Sequence, residues 1–160
     1  MSSFGGVEEH DKGWNDILLD LKKIAKGEIV VDIGVLGEQA PEDHGGPTNV
    51  QIATWHEFGT KYIDERSFLR STKAKKRRTY EGMLAKGAKA IYERKDTPIK
   101  VLDKVGLKAA NDVKATIRKG IPPPLADATI ARKGSSKQLI DTGQLINSIT
   151  WVVRKASEGK

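Results

Sequence analysis

His56 and Glu57, adjacent in Trp55-His56-Glu57-Phe58-Gly59-Thr60, are the residue types that open a zinc-protease helix, where a second histidine four positions on completes the metal pair. Here that position is Thr60, and the other histidines, His10 and His44, stand in segments without regular pattern. His56 therefore reads as a surface or interface residue, and no metal is expected. Asp141, in Leu139-Ile140-Asp141-Thr142-Gly143, has the setting of a loop whose two copies share a proton between paired aspartates. A homodimer would supply the second copy, but a polar loop precedes this one and a helical turn follows it. Asp141 or Thr142 reads better as a helix cap, with Gly143 easing the turn. No Gly-x-Ser-x-Gly nucleophile elbow is present, and Gly45-Gly46 lacks the lysine and hydroxyl residue of a phosphate loop. The chain has no cysteine, which excludes thiolate catalysis, disulfides and cysteine zinc sites together. No catalytic residue and no cofactor is expected, and the chain is not read as an enzyme.

The other chemistry is electrostatic. Lys73, Lys75, Lys76, Arg77 and Arg78 are followed by Lys86, Lys89, Arg94 and Lys95, with only Glu81 and Glu93 between residues 73 and 95. Such a run on a helix can neutralise phosphates, with affinity that falls as salt rises. It can equally be a solvated face or meet an acidic neighbour. Aromatic residues do not alternate with the charges, so base stacking is not indicated. The net charge of +7 and pI near 9.5 point the same way, to nucleic acid or acidic protein surfaces as neighbours.

Positioning these groups falls to a chain of 160 residues, enough for one domain that buries about two-thirds of its unfolded surface. At 38% hydrophobic and 31% charged it is polar, yet not of disordered composition. We expect a flexible amino terminus over residues 1–12, a single domain over 13–155 and a flexible tail over 156–160. The opening MSSFGGVEEHDKG has no apolar core of signal-peptide length, and no stretch reaches the roughly 18 apolar residues of a membrane span, so a soluble chain made in a cytoplasm is expected.

Trp14, Ile17, Leu18, Leu21, Ile24 and Ala25 mark one helical face, stopped at Gly27. Ile29, Val31, Ile33 and Val35 alternate with Val30, Asp32 and Gly34 as in a half-buried strand. Residues 37–48 are turn formers and read as a loop. Val50 to Phe58 is helical or irregular, broken by Gly59. Tyr80, Leu84, Ala88 and Ile91 mark the next helix. Thr97 and Pro98 cap and start another, striped by Leu102, Val105, Ala109, Val113 and Ile117 and ended by Gly120. Pro122 to Pro124 form a stiff extended link. A short turn through Asn147 leads to a closing strand with Ile149, Trp151 and Val153 on one face, able to pair with Ile29 to Val35. The expectation is an α+β fold: a small, mostly antiparallel sheet packed by about three helices, with long loops.

Two blocks in this order resemble a known family. Trp55-His56-Glu57-Phe58-Gly59-Thr60 with Arg66-Ser67-Phe68-Leu69-Arg70 is the first. Pro123 to Leu125, Thr129 to Gly134 and Leu139 to Ile149 make the second. Together they are similar to the virion-morphogenesis and tail-completion proteins of long-tailed phages, over about Ile29 to Val153. The family has proline where Ser67 stands, and often one where Asp64 or Glu65 stands, so the turn before Phe68 is expected to be looser here.

The resemblance implies a structural protein of the neck or upper tail, a homo-oligomeric ring, hexameric in the virion, that joins head to tail and lets double-stranded DNA pass. It implies head–tail connector or adaptor proteins and tail terminator or tail tube proteins as partners, no membrane, and a virion location after assembly in the host cytoplasm. The loops 37–50 and 121–140 would reach neighbours. Trp55, Glu57, Phe58, Phe68, Leu69, Pro123, Leu125 and Trp151 are the interface candidates, with Trp55, Phe58 and Phe68 as an aromatic anchor. Glu57 would meet a basic group in its own or an adjoining subunit. Lys73, Lys75, Lys76, Arg77 and Arg78 would face DNA or an acidic partner. The alternative is a DNA-binding protein that uses the basic helix 73–95.

Overall fold

Glycine and the capping hydroxyls punctuate this chain where the periodicity changes. The computed structural model describes residues 13–36, 46–124, 130–131, 139 and 143–158. Helix α1, Trp14–Ala25, ends when the Gly27 and Glu28 amides donate back to the Ile24 and Lys23 carbonyls at 3.0 and 2.8 Å, satisfying acceptors that the last turn leaves open. Its apolar positions are only half covered, and Trp14 and Leu19 stay exposed. Strand β1, Ile29–Val35, follows directly.

Helix α2, Asn49–Phe58, settles the segment expected as helical or irregular. It starts with a reciprocal cap: Thr48 Oγ1 accepts from the Gln51 amide, and Gln51 Oε1 accepts from the Thr48 amide. Helix α3 spans Phe68–Tyr92, so it begins well before the Tyr80-to-Ile91 stripe. The lysines, arginines and alanines of its first half are good helix formers that need no apolar face to stay helical. Helix α4, Pro98–Lys119, has the expected start, with Thr97 Oγ1 accepting from the Lys100 amide at 3.4 Å and Pro98 in the first turn. The short α5, Gln144–Ser148, leads into β2, Ile149–Lys155, and a 3-10 turn over Ala156–Glu158. The residue before α5 is Gly143 in left-handed conformation, with no side-chain cap. The cap assigned to Asp141 or Thr142 falls on residues outside those described.

The architecture is α+β, with a two-stranded antiparallel sheet among the described residues. β1 pairs with β2, the pairing that the alternating patterns predict, in the register Ile29 to Lys155 through Val35 to Ile149. One face of the sheet meets α4 at Gly106, where an added Cβ would lie 2.4 Å from the Trp151 indole and 2.8 Å from Val31. Only glycine permits that approach. The opposite face carries the Asp32–Arg154 ion pair and the exposed Val152.

The core gathers Ala53 from α2, Phe68 from α3, Ala110, Val113 and Ile117 from α4, Leu145 and Ile146 from α5 and Ile149 from β2, together with Leu139, which precedes α5. Helices α3 and α4 run antiparallel. Thr72 donates to Thr116 at 2.7 Å, and Tyr80 donates to Asp112 at 3.2 Å. Burial, reinforced by the adjacent Asp112 charge, pushes the Tyr80 hydroxyl up to about 12.

Candidate interaction surface

The first block of the sequence pattern folds into one corner between α2 and α3. Gly59 stops α2 at φ 74°, and a Cβ there would fall 3.0 Å from the Glu65 amide nitrogen, so the loop Thr60–Ser67 can turn tightly only past a glycine. Thr60 then organises the loop: its hydroxyl accepts from the Tyr62 and Ile63 amides at 3.2 and 3.0 Å. The Arg66 amide closes the turn onto the His56 carbonyl at 2.7 Å.

Glu57 is the hub. It is 3% exposed, and its carboxylate accepts from the Leu69 amide at 2.9 Å, the Arg70 amide at 2.9 Å, the Ser67 hydroxyl at 2.8 Å and Arg70 Nε at 3.0 Å. The amides of Leu69 and Arg70 belong to the first turn of α3, whose N–H groups have no partner within the helix. Ser67, at the N-cap position, makes no side-chain cap of its own. A carboxylate from the preceding helix thus does the capping, and negative charge at a helix start is favourable to the peptide dipoles. The expected basic partner of Glu57 is Arg70 of the same chain. The turn predicted to be loose for want of proline is fastened by the Ser67 hydroxyl.

Arg70 completes the corner by donating to the Glu57 carbonyl at 2.7 Å and to Glu65 at 2.8 Å, while its guanidinium sits 4.6 Å over the Phe58 ring. These partners, Glu57 first, raise its pKa above the ordinary arginine value. Arg66 reaches the other way. Only 4% exposed, it donates through Nε to the Pro123 carbonyl at 3.1 Å and through Nη2 to the Pro124 carbonyl at 3.3 Å. Its guanidinium is planar and forked, so it can hold two successive carbonyls at once.

The interface candidates divide. Phe68 is fully buried in the core, so it offers no surface to a partner; as the first residue of α3 it is turned inward among α2, α4 and α5. The aromatic trio therefore does not form one anchor. Trp55 is exposed, and Phe58 is 61% exposed. Leu69 is half-buried against the core. Trp151 is half-buried, with its indole N–H donating to Asp103 at 2.8 Å. Pro123 is exposed and held by its carbonyl, and Leu125 lies outside the described residues. Lys73, Lys75, Lys76, Arg77 and Arg78 are all exposed on α3.

Two residues with no role in the sequence reading matter here. Tyr62 is 88% exposed at the loop tip beside Phe58. Arg66 is the tie between two distant segments, and nothing in its local pattern distinguishes it from the other arginines. Among the described residues no group of three or more histidine, aspartate or glutamate side chains could hold a metal ion, and no helix is long and apolar enough to cross a membrane. No family model, curated protein or solved structure matches the chain.

Proposed function

We propose that this chain is a structural protein of the neck or upper tail of a long-tailed phage, acting in tail completion and head–tail joining without a catalytic role. The observation that carries the reading is the double hydrogen bond from Arg66 to the Pro123 and Pro124 carbonyls. It joins the two blocks that carry the family resemblance, which lie 57 and 58 residues apart along the chain. A pattern whose halves meet in space is a single structural unit, and the resemblance gains weight from that.

The unit is fitted to assembly. Trp55, Phe58 and Tyr62 are large exposed aromatics on a backbone fixed by Glu57, Thr60 and Arg66, and rigid aromatics lose little entropy when a partner covers them. In this reading they seat an adjoining copy in an oligomeric ring, hexameric to match a tail, through which double-stranded DNA passes. Connector or adaptor proteins above, and tail terminator or tail tube proteins below, are the other partners, and the protein resides in the virion.

The test is the mass of the purified protein by light scattering, alone and mixed with tails or heads. A ring, or a monomer that joins those particles, is expected for the wild type. The double variant Phe58→Ser with Tyr62→Ser should keep its fold and lose attachment. A wild type that never joins heads, tails or itself, or a double variant that joins as well as wild type, overturns the reading.

A further inference from the structure

From residue 73 to residue 79, two full turns of α3, every residue is exposed. The segment is pinned at both ends, by Thr72 on Thr116 and by Tyr80 on Asp112, so it is a fixed feature of the surface. At about 100° per residue, Lys76 lies on the side of Thr72 and Tyr80, toward α4. Lys73 falls beside Tyr80 at the edge of that side, and Lys75, Arg77 and Arg78 fan over the arc away from α4. Arg77 is bonded to Glu81 at 2.7 Å. Lys73, Lys75, Lys76 and Arg78 have no ion-pair partner among the described residues, whereas Lys104 and Lys108 of α4 are answered by Asp96 and Asp112.

We propose that this exposed stretch of α3, residues 73–79, binds the phosphate backbone of duplex DNA without regard to sequence. Three features select DNA over an acidic protein. The window 73–79 holds only lysine, arginine, alanine and threonine, whereas the centres of protein interfaces are rich in aromatics and poor in lysine. Its cations spread over more than half the helix circumference, which suits rows of phosphate on either side of a groove better than one flat face. Four unanswered cations in two turns also match the close charge spacing of a duplex. The exposed aromatics that suit a protein partner stand elsewhere, Trp55 and Phe58 on α2 and Tyr62 on the loop before α3. The inference rests on the neck reading only for its choice of duplex DNA, the molecule that passes such a ring.

The experiment is anisotropy of a labelled random-sequence duplex titrated with the free full-length chain across about 50 to 200 mM salt. Four cations predict a slope of log affinity against log salt of about −3.6, an affinity loss of about a hundredfold over that range. The variant Lys75→Gln with Arg78→Gln should reduce the slope by about two, with circular dichroism unchanged. The charge-matched control Lys26→Gln with Lys155→Gln, two exposed lysines flanking Ile99 at the opposite end of α4, should leave it unaltered. Equal loss in both variants, no binding at the lowest salt, or equally tight binding of polyglutamate each overturns the proposal. A chain that binds DNA in this way yet joins neither heads nor tails sinks the neck reading alone, and one that joins them without binding DNA sinks this proposal alone.

Discussion

In the sequence, Arg66 to Arg78 is one continuous basic run, RSFLRSTKAKKRR, but the fold divides it at Thr72 into two regions of opposite character. Before Thr72, charge is consumed by structure: Arg66 is buried on two carbonyls, and Arg70 is bound by Glu57 and Glu65 and stacked on Phe58. After it, the cations stand in solvent, and only Arg77 has an ion partner among the described residues. The same residue types therefore do different work according to whether a carboxylate or carbonyl lies within reach. The comparison yields a ranking of substitutions, because energy is concentrated at the corner and nearly absent from the arc.

The largest effect is expected at the point where the corner enters the core. Phe68→Ala removes a fully buried ring from a cluster fed by four helices and one strand, at a cost of about 3 to 5 kcal/mol. Urea unfolding measures it, and a loss below about 1 kcal/mol would mean that the cluster collapses around the gap and that the corner is not tied to the core as described.

Next comes Glu57→Ala, which strips the α3 amides of Leu69 and Arg70 of their acceptor and leaves Ser67 without its partner. Losing a cap costs about 1 kcal/mol and hydrogen bonds to a charged group about 1.5 to 3, so a loss of about 2 to 4 kcal/mol is expected. Arg70 is half exposed and regains water, so Arg70→Ala should cost less than Glu57→Ala. The reverse order would make the arginine, not the helix cap, the reason for the buried carboxylate.

The division also explains what could be read from the sequence. The pairing of the two strands was legible because period-two alternation at residues 29–35 and 149–153 leaves one face of each able to turn inward. The α4 stripe and its Thr97-Pro98 start were legible because both are local signals. The corner was not, because its contacts span separations that no local template covers: Glu57 caps a helix starting 11 residues later, and Arg66 bonds carbonyls 57 and 58 residues away. The sequence marked Trp55, Phe58 and Phe68 as alike, and only three-dimensional packing could separate the buried ring from the two exposed ones. The apolar stripe marked α3 only from Tyr80 onward, because the first half of the helix has no apolar periodicity, being helical through propensity and a cap borrowed from α2.

The smallest effect tests how the exposed arc is held. Tyr80 pins its far end to Asp112, and its hydroxyl is pushed up to about 12 from an ordinary value of 10.0, by burial first and the aspartate charge second. A folded-state value above the unfolded one means that the folded chain holds the proton more tightly. The stability this contributes is fully present below pH 10 and is lost as the pH rises from 10 toward 12. Lysines titrate in the same range, so the informative quantity is the stability of wild type minus that of Tyr80→Phe, from urea unfolding at successive pH values. That difference should be flat below about pH 9.5 and then fall, because phenylalanine has no proton to release. A difference that stays flat through pH 11 would mean that Tyr80 is solvated in the folded chain. The arc would then be anchored at Thr72 alone, and the contrast between a fixed corner and a fixed arc would become one between a fixed corner and a helix free to bend beyond it.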